Sequence, residues 1–414
     1  MSAHVTIICG PARSGKTERL LALYRDALRR RPPESTLWLA PTWRAAAEIR
    51  DRLLDGDLSG CFAPGVTTFD KFAVEVLRKA GKPIRQVTRL MKRELLRRII
   101  DQQASRQRLK HFLPIAKTAG LVDLICEFIG ELKRLEIWPE DFQRACEQRG
   151  LTDKDAELFE VYQEYQQTLR EHGLFDAEGR FWSARDELKK AEGGGRRAEG
   201  GSTDWAQAVG RGQPSSESRP SPLRLPPSAL RPSLIVADGF TDFTRTQHEI
   251  LDSLAARAEE MFITLPLEGK PRRADMFAKP LKTLDALRRQ CSNAVVEQLE
   301  RPVKTGWPAM ARLERTLFEN PRVAISLAAK AASPRDPESR TPNPEPPLGI
   351  EILAAARQIG EIEMIAARIK RLLIDRRARP CDIAVVFRSP QEAAELVREA
   401  FERLEIPAAF ESGQ

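Results

Sequence analysis

The chain has 414 residues, 42% of them hydrophobic and 30% charged, with a formal net charge of +8 and a pI near 9.3. That length supports two or three domains with real cores, and the arginine-rich basicity favours a polyanion such as DNA over an acidic protein as partner. No apolar run approaches a membrane span and no basic-then-apolar leader opens the sequence, so neither a membrane protein nor a secreted one is expected. The six cysteines (Cys9, Cys61, Cys126, Cys146, Cys291, Cys381) are scattered without a C-x-x-C pair. They read as reduced thiols, and the expected localisation is cytoplasmic.

Residues 5–17, VTIICGPARSGKT, join a β-branched run to the full G-x-x-x-x-G-K-[ST] phosphate-loop pattern. Gly10 and Gly15 permit backbone angles and close approach that a Cβ blocks, so the N–H groups of Gly10, Pro11–Ser14 (proline apart) and Gly15 can turn toward a phosphate. Lys16 is placed to reach the terminal phosphates of ATP, Thr17 to ligand Mg²⁺, and the helix beginning there aims its positive end at the anion. The candidate nucleotide site is therefore Gly10, Pro11, Ala12, Arg13, Ser14, Gly15, Lys16 and Thr17.

Helical spacing follows over Glu18–Arg30, then a strand over Thr36–Leu39, the dipeptide Pro41-Thr42 and a helix over Arg44–Leu54. A third unit runs from Gly65 through Thr67-Thr68-Phe69 into a helix over Lys71–Lys79. Strand-loop-helix repeated three times predicts a parallel α/β sheet with functional loops at the strand C-termini. From residue 87 to 190 the pattern becomes amphipathic helix, with segments over Thr88–Asp101, Leu121–Leu135 and Glu157–Leu169. The arginines of the first segment either track a phosphate backbone or form a solvated face, the second being the commoner arrangement.

Residues 191–232 are rich in Gly, Pro, Ser and Arg and are expected to be a disordered insertion. The sheet resumes with the apolar strand Ser233–Asp238 and continues with Met261–Leu265. A Pro-rich linker spans 332–347, and beyond it strands over Ile350–Leu353 and Asp382–Phe387 alternate with helices over Ile359–Leu373 and Glu392–Leu404. The expected organisation is a first α/β domain in two parts (1–86 and 233–331) around an all-α insertion (87–190), then the start of a second domain over 348–414.

Asp238, ending an apolar strand, is the candidate Mg²⁺ carboxylate alongside Thr17, the alternative being a turn residue. The next position, where such ATPases often keep a glutamate base, is Gly239, which cannot accept a proton. Asp242 and Gln247 follow closely, but an Asp there is more often a turn or cap residue. No catalytic residue is assigned.

The ordered set GPARSGKT, LWLAPTWRAAAEI, VTTFDKFAVEVL, LICEFIGELKRLEIWPEDF, FEVYQEYQQTLREHGLFD, LIVADGFTDFTRTQHEIL, FITLPLE and DIAVVFRSP resembles the N-terminal half of the AddB family. These are helicase-like, nuclease-bearing subunits related to the UvrD/Rep helicases of superfamily 1. The resemblance implies a RecA-like fold, ATP and Mg²⁺ as cofactors, single-stranded DNA or a duplex end as ligand, and an AddA-like helicase subunit as heterodimer partner. It implies DNA contacts at Pro41, Thr42, Thr67, Thr68 and Phe69, and an approach of Arg388 to the γ-phosphate from a second RecA-like domain. The family's PD-(D/E)XK nuclease and iron-sulfur cysteines would lie beyond residue 414, so that cluster is not expected in this chain. Gly239 and the sequence FITLPLE depart from the helicase pattern, which implies a degenerate motor that binds DNA in double-strand-break repair and recombination. An active UvrD-type helicase fragment and a DNA-binding scaffold with a relic phosphate loop remain as alternatives.

Overall fold

A computed structural model describes residues 3–32, 34–54, 60–61, 64–82, 85–192, 232–269, 273, 275–300, 313–314, 317–318, 351–388 and 390–410. The chain divides into two compact units, Met1–Pro302 and Val303–Gln414. The bulk of the stretches expected to be a disordered insertion (191–232) and a Pro-rich linker (332–347) lies outside the described residues.

The first unit is built on a six-stranded sheet of β1 (His4–Cys9), β2 (Thr36–Ala40), β3 (Val66–Thr68), β6 (Leu234–Ala237), β7 (Glu260–Leu265) and β8 (Val295–Gln298). Its order is β3-β2-β6-β7-β1-β8 and every pairing is parallel. Because strand side chains alternate between faces, each central strand feeds two cores. Ile8, Trp38, Leu234 and Val236 face α1 (Lys16–Arg30) and α2 (Trp43–Leu54). Ile7, Cys9, Ile235 and Ala237 face the opposite layer. That layer holds α3 (Phe69–Lys79), α8 (Ala177–Glu192), α9 (Arg245–Ala255) and α10 (Ala278–Gln290). Burial on both faces explains why these strands read as continuous apolar runs.

Gly65 makes a close approach necessary at the β2–β3 pairing. Its φ is +69°, its carbonyl accepts from Trp38 N, and a Cβ there would fall 2.1 Å from Thr36 O.

Between α3 and α8 the chain forms a second core. It comprises α4 (Arg89–Ser105), α5 (Ala119–Arg134), α6 (Pro139–Arg149) and α7 (Asp153–Glu171), with a two-residue parallel ladder of β4 (Arg85–Gln86) on β5 (Leu174–Phe175) at its base. Thr88, Thr118 and Thr152 each accept a backbone N–H at a helix start, as capping chemistry requires. On α4, Arg93 pairs with Asp123 and Arg98 with Glu94, so those two arginines serve a solvated, ion-paired face. α8 packs against α3 and α9 and buries Ala184 and Leu188 in the sheet-face core, carrying the chain back from the insertion.

The insertion is anchored by charge as well as apolar packing. Glu136, between α5 and α6, accepts from Arg185 of α8 at 2.6 Å and from Thr246 of α9 at 2.7 Å. Within the insertion, the buried Lys133 ammonium lies 2.6 and 2.8 Å from the two oxygens of Asp176 and donates to Gln166 at 2.9 Å. Tyr165 and the Gly179 N–H complete the Asp176 shell.

The second unit contains α11 (Gln358–Ile374) and α12 (Pro390–Arg403), packed through Ile362, Ala366, Ile369, Val397 and Phe401. The two strands expected here are not formed among the described residues. Residues 351–355 and 383–387 belong to no ladder, and Ile352 and Val386 are exposed. A short apolar run becomes a strand only when a neighbour supplies its hydrogen bonds. The start of a second parallel sheet is thus absent from the described part of this unit.

Candidate functional site

Because the strands are parallel, the loops after β1, β2, β3 and β6 all emerge at one edge of the sheet. That geometry gathers residues that are far apart in sequence.

The loop after β1 follows the expected motif closely. Arg13 and Gly15 are left-handed (φ +62° and +87°), and Gly15 leads directly into α1. At Gly10 a Cβ would fall 2.5 Å from Ser14 Oγ and 2.9 Å from Leu299 O, so the position requires glycine for space. Lys16 Nζ folds over the loop, donating to Gly10 O at 2.6 Å, Pro11 O at 2.8 Å and Ser14 Oγ at 3.3 Å. Burial lowers its ammonium pKa, opposed by the charge of Asp238. Burial also pushes the neighbouring Cys9 thiol up, although Arg288 and Lys16 pull the other way.

Across 221 residues, Thr17 Oγ1 donates to Asp238 Oδ2 at 2.9 Å. Asp238 is buried and stands one residue beyond β6. Its other oxygen accepts from Thr264 Oγ1 at 2.5 Å, and Thr264 in turn accepts from Gly239 N at 3.2 Å. Gly239 has φ +85°, and a Cβ there would touch the Pro41 ring at 3.4 Å. Neither of its polar neighbours faces this centre as a free base. Asp242 accepts from Thr241 and pairs with Lys279 at 3.7 Å, while Gln247 closes a capping box with Thr244 at the start of α9.

The positions expected to contact DNA divide into two kinds. Pro41 and Thr42 are exposed, with Thr42 Oγ1 accepting from Ala45 N as the cap of α2, and Thr67 is half-buried. Thr68 is buried and caps α3 by accepting from Lys71 N. Phe69 is only 3% exposed and packs edge-on against Phe240 and Phe243, with ring centroids 5.4 and 6.1 Å away. The D-G-F-x-x-F sequence after β6 is thereby explained: its two phenylalanines lock that loop to the start of α3. Arg388 is exposed in the second unit.

Sequence reasoning passed over two residues. Trp43, next to Thr42, is 63% exposed, an unusual setting for a tryptophan. Thr264 is 1% exposed and holds Asp238. The first was readable as an aromatic beside a polar loop; the second depends on strand order. Among the described residues no three His, Cys, Asp or Glu side chains gather as a metal cluster. The Thr17 hydroxyl and Asp238 carboxylate are nevertheless hard oxygen donors of the kind that suits Mg²⁺, which keeps most of its shell as water and phosphate.

Fold and site together define a parallel α/β protein with a glycine-flanked loop at a helix N-terminus and a helical insertion in the sheet domain. A family model described as ADDB, N-terminal, matches residues 7–192 and 227–315, and the chain belongs to that family. It is similar to proteins whose names make each of them one subunit of an ATP-dependent helicase/deoxyribonuclease. The Bacillus subtilis (strain 168) protein is 23% identical over 97% of this chain and 31% of its own length. The Desulforamulus reducens protein is 25% identical over 97% and 31%, and the Pelotomaculum thermopropionicum protein 26% over 97% and 32%. The chain thus spans about a third of the length of these curated relatives. No helix among the described residues is long and apolar enough to cross a membrane.

Proposed function

We propose that this chain is the nucleotide- and DNA-binding part of a helicase-like subunit of an AddAB-type helicase-nuclease, acting in double-strand-break repair and recombination beside an AddA-like partner. The observation that carries this reading is the Thr17–Asp238 contact, which brings the end of the phosphate loop and the end of β6 together at the functional edge of the sheet. Gly10–Thr17 bind the phosphates of ATP, with the Lys16 ammonium leaving Gly10 O and Pro11 O for the anion. Thr17 and Asp238 hold Mg²⁺, which neutralises phosphate charge when bound. Thr42, Trp43 and Thr67, at the ends of β2 and β3, meet single-stranded DNA or an opened duplex end through hydroxyls and a stacking face. The RecA-like motor is a clamp with little turnover, because a glycine in a left-handed turn stands where a base belongs.

Calorimetry with ADP and Mg²⁺, together with steady-state ATPase assays with and without single-stranded DNA, tests the reading. Saturable binding that Lys16→Ala abolishes, with little DNA-stimulated hydrolysis, is the expected result. Robust DNA-stimulated turnover lost in Lys16→Ala replaces it with an active UvrD-type motor. Absence of saturable binding leaves a scaffold with a relic loop, a reading favoured by the self-satisfied Lys16 contacts to Gly10 and Pro11.

A further inference from the structure

β7 lies between β6 and β1, so its last residues separate the strand that carries Asp238 from the strand that carries the phosphate loop. The register sets Ala237 against Ile263, which puts Asp238 level with Thr264, while Ile8 is opposite Thr264 on the other side. Asp238, Thr264 and Ile8 therefore share one face of the sheet, the face covered by α1 and hence by Thr17.

The Thr264 hydroxyl sits in a setting that fixes its single proton. The Gly239 N–H is a donor and takes one lone pair of the hydroxyl at 3.2 Å, and on the other side the Asp238 carboxylate oxygen is the acceptor. The hydroxyl proton must then point to Asp238 Oδ1, the 2.5 Å contact, leaving Oδ2 turned to Thr17. Gly239 belongs to the same device through that N–H. Valine would fill the same space, so packing alone does not require a hydroxyl at a position 1% exposed.

We propose that Thr264 is a positioning residue for metal-linked nucleotide binding: through its bond to Asp238 Oδ1 it sets the rotation of the carboxylate so that Oδ2 faces Thr17 and the end of the phosphate loop. This rests on the nucleotide-and-Mg²⁺ reading above. The role acts through Asp238, so its signature is a change in how Mg²⁺ helps nucleotide bind, separate from how the loop binds nucleotide by itself.

The test uses the full chain, ADP as probe, and calorimetry plus thermal melting across a Mg²⁺ titration and in EDTA. Thr264→Val raises the Mg²⁺ concentration at half-maximal ADP binding about tenfold, the low end of the effect of losing an outer-shell partner, while ADP affinity in EDTA is unchanged. Thr264→Ser restores the wild-type Mg²⁺ dependence, and Thr264→Ala, which removes the hydroxyl without demanding any space, repeats the valine result should that variant misfold. An unaltered Mg²⁺ dependence in folded Thr264→Val or Thr264→Ala overturns the proposal, as does equal loss of ADP binding with and without metal. Failure of the wild-type chain to bind ADP under either condition is distinguishable from both outcomes, and it removes the nucleotide reading together with this role.

Discussion

Lys133 and Asp176 form an ion pair inside the helical insertion, 2.6 Å apart at closest approach and both almost wholly sheltered from water. Burial acts to raise the Asp176 carboxyl pKa, but the Lys133 ammonium and the Gly179 N–H outweigh it and hold the group below its ordinary value. A carboxyl depressed in the folded state contributes stability that is complete above the unfolded pKa, about 3.9. That contribution is lost as pH falls through the lower, folded value. Asp176→Asn strands a buried ammonium and is expected to cost about 3–5 kcal/mol. Urea titrations at pH 7 and at stepwise lower pH check both points: the wild type weakens on acidification below the unfolded carboxylate range, and the Asn variant is weak throughout.

Gly239→Glu restores the residue type of an active helicase but not its function. The position has φ +85° and its Cβ would meet the Pro41 ring, so the substitution carries backbone strain of about 1–3 kcal/mol. Thermal melting is expected to show a lowered Tm, and phosphate-release assays no gain in DNA-stimulated hydrolysis.

The two loop glycines fail for different reasons. Gly10→Ala drives a methyl group into Ser14 and the Leu299 carbonyl, so it distorts the loop and abolishes ADP binding. Gly15→Ala meets no atom within 4 Å and suffers only its left-handed φ of +87°, a cost of about 1–2 kcal/mol. Calorimetry should therefore separate a null variant at residue 10 from a weakened one at residue 15.

Trp43 and Phe69 make a second contrast. Trp43→Ala is expected to weaken single-stranded DNA binding by about 1–3 kcal/mol, the range for losing one stacking platform, without lowering Tm, because the ring is exposed. Phe69→Ala empties the cluster with Phe240 and Phe243 and is expected to destabilise the fold by about 3–5 kcal/mol. Fluorescence anisotropy with a labelled oligonucleotide and parallel melting curves distinguish the two.

The phosphate loop and Asp238 were legible because each is a local pattern, a glycine-flanked turn in one case and an apolar strand closing on a carboxylate in the other. Phe69 sits in a loop motif just as legible, yet its ring turns inward, since the loop after β6 brings two phenylalanines that no local pattern locates. β8 was passed over because Val295–Gln298 lies at the sheet edge with Val295 exposed, and such strands lack the apolar run of a central one. The expected strands near residues 350 and 385 had the right local chemistry without a strand among the described residues to pair with. Thr264 is the clearest loss: a lone hydroxyl at a strand end acquires meaning only from the order β6-β7-β1.

The long detour between β3 and β6 also governs how the molecule is assembled. Ser35 and Ser233, bonded at the base of the β2–β6 pairing, are 198 residues apart. Closing a loop of that length in an unstructured chain is slow and entropically unfavourable. The insertion shortens it: once its own core forms, β4 and β5 tie residues 85 and 174 together, and α8 returns to lie on α3. The Thr17–Asp238 contact consequently depends on that closure. On a ribosome releasing the N-terminus first, the phosphate loop meets Asp238 only after the whole insertion has been synthesised.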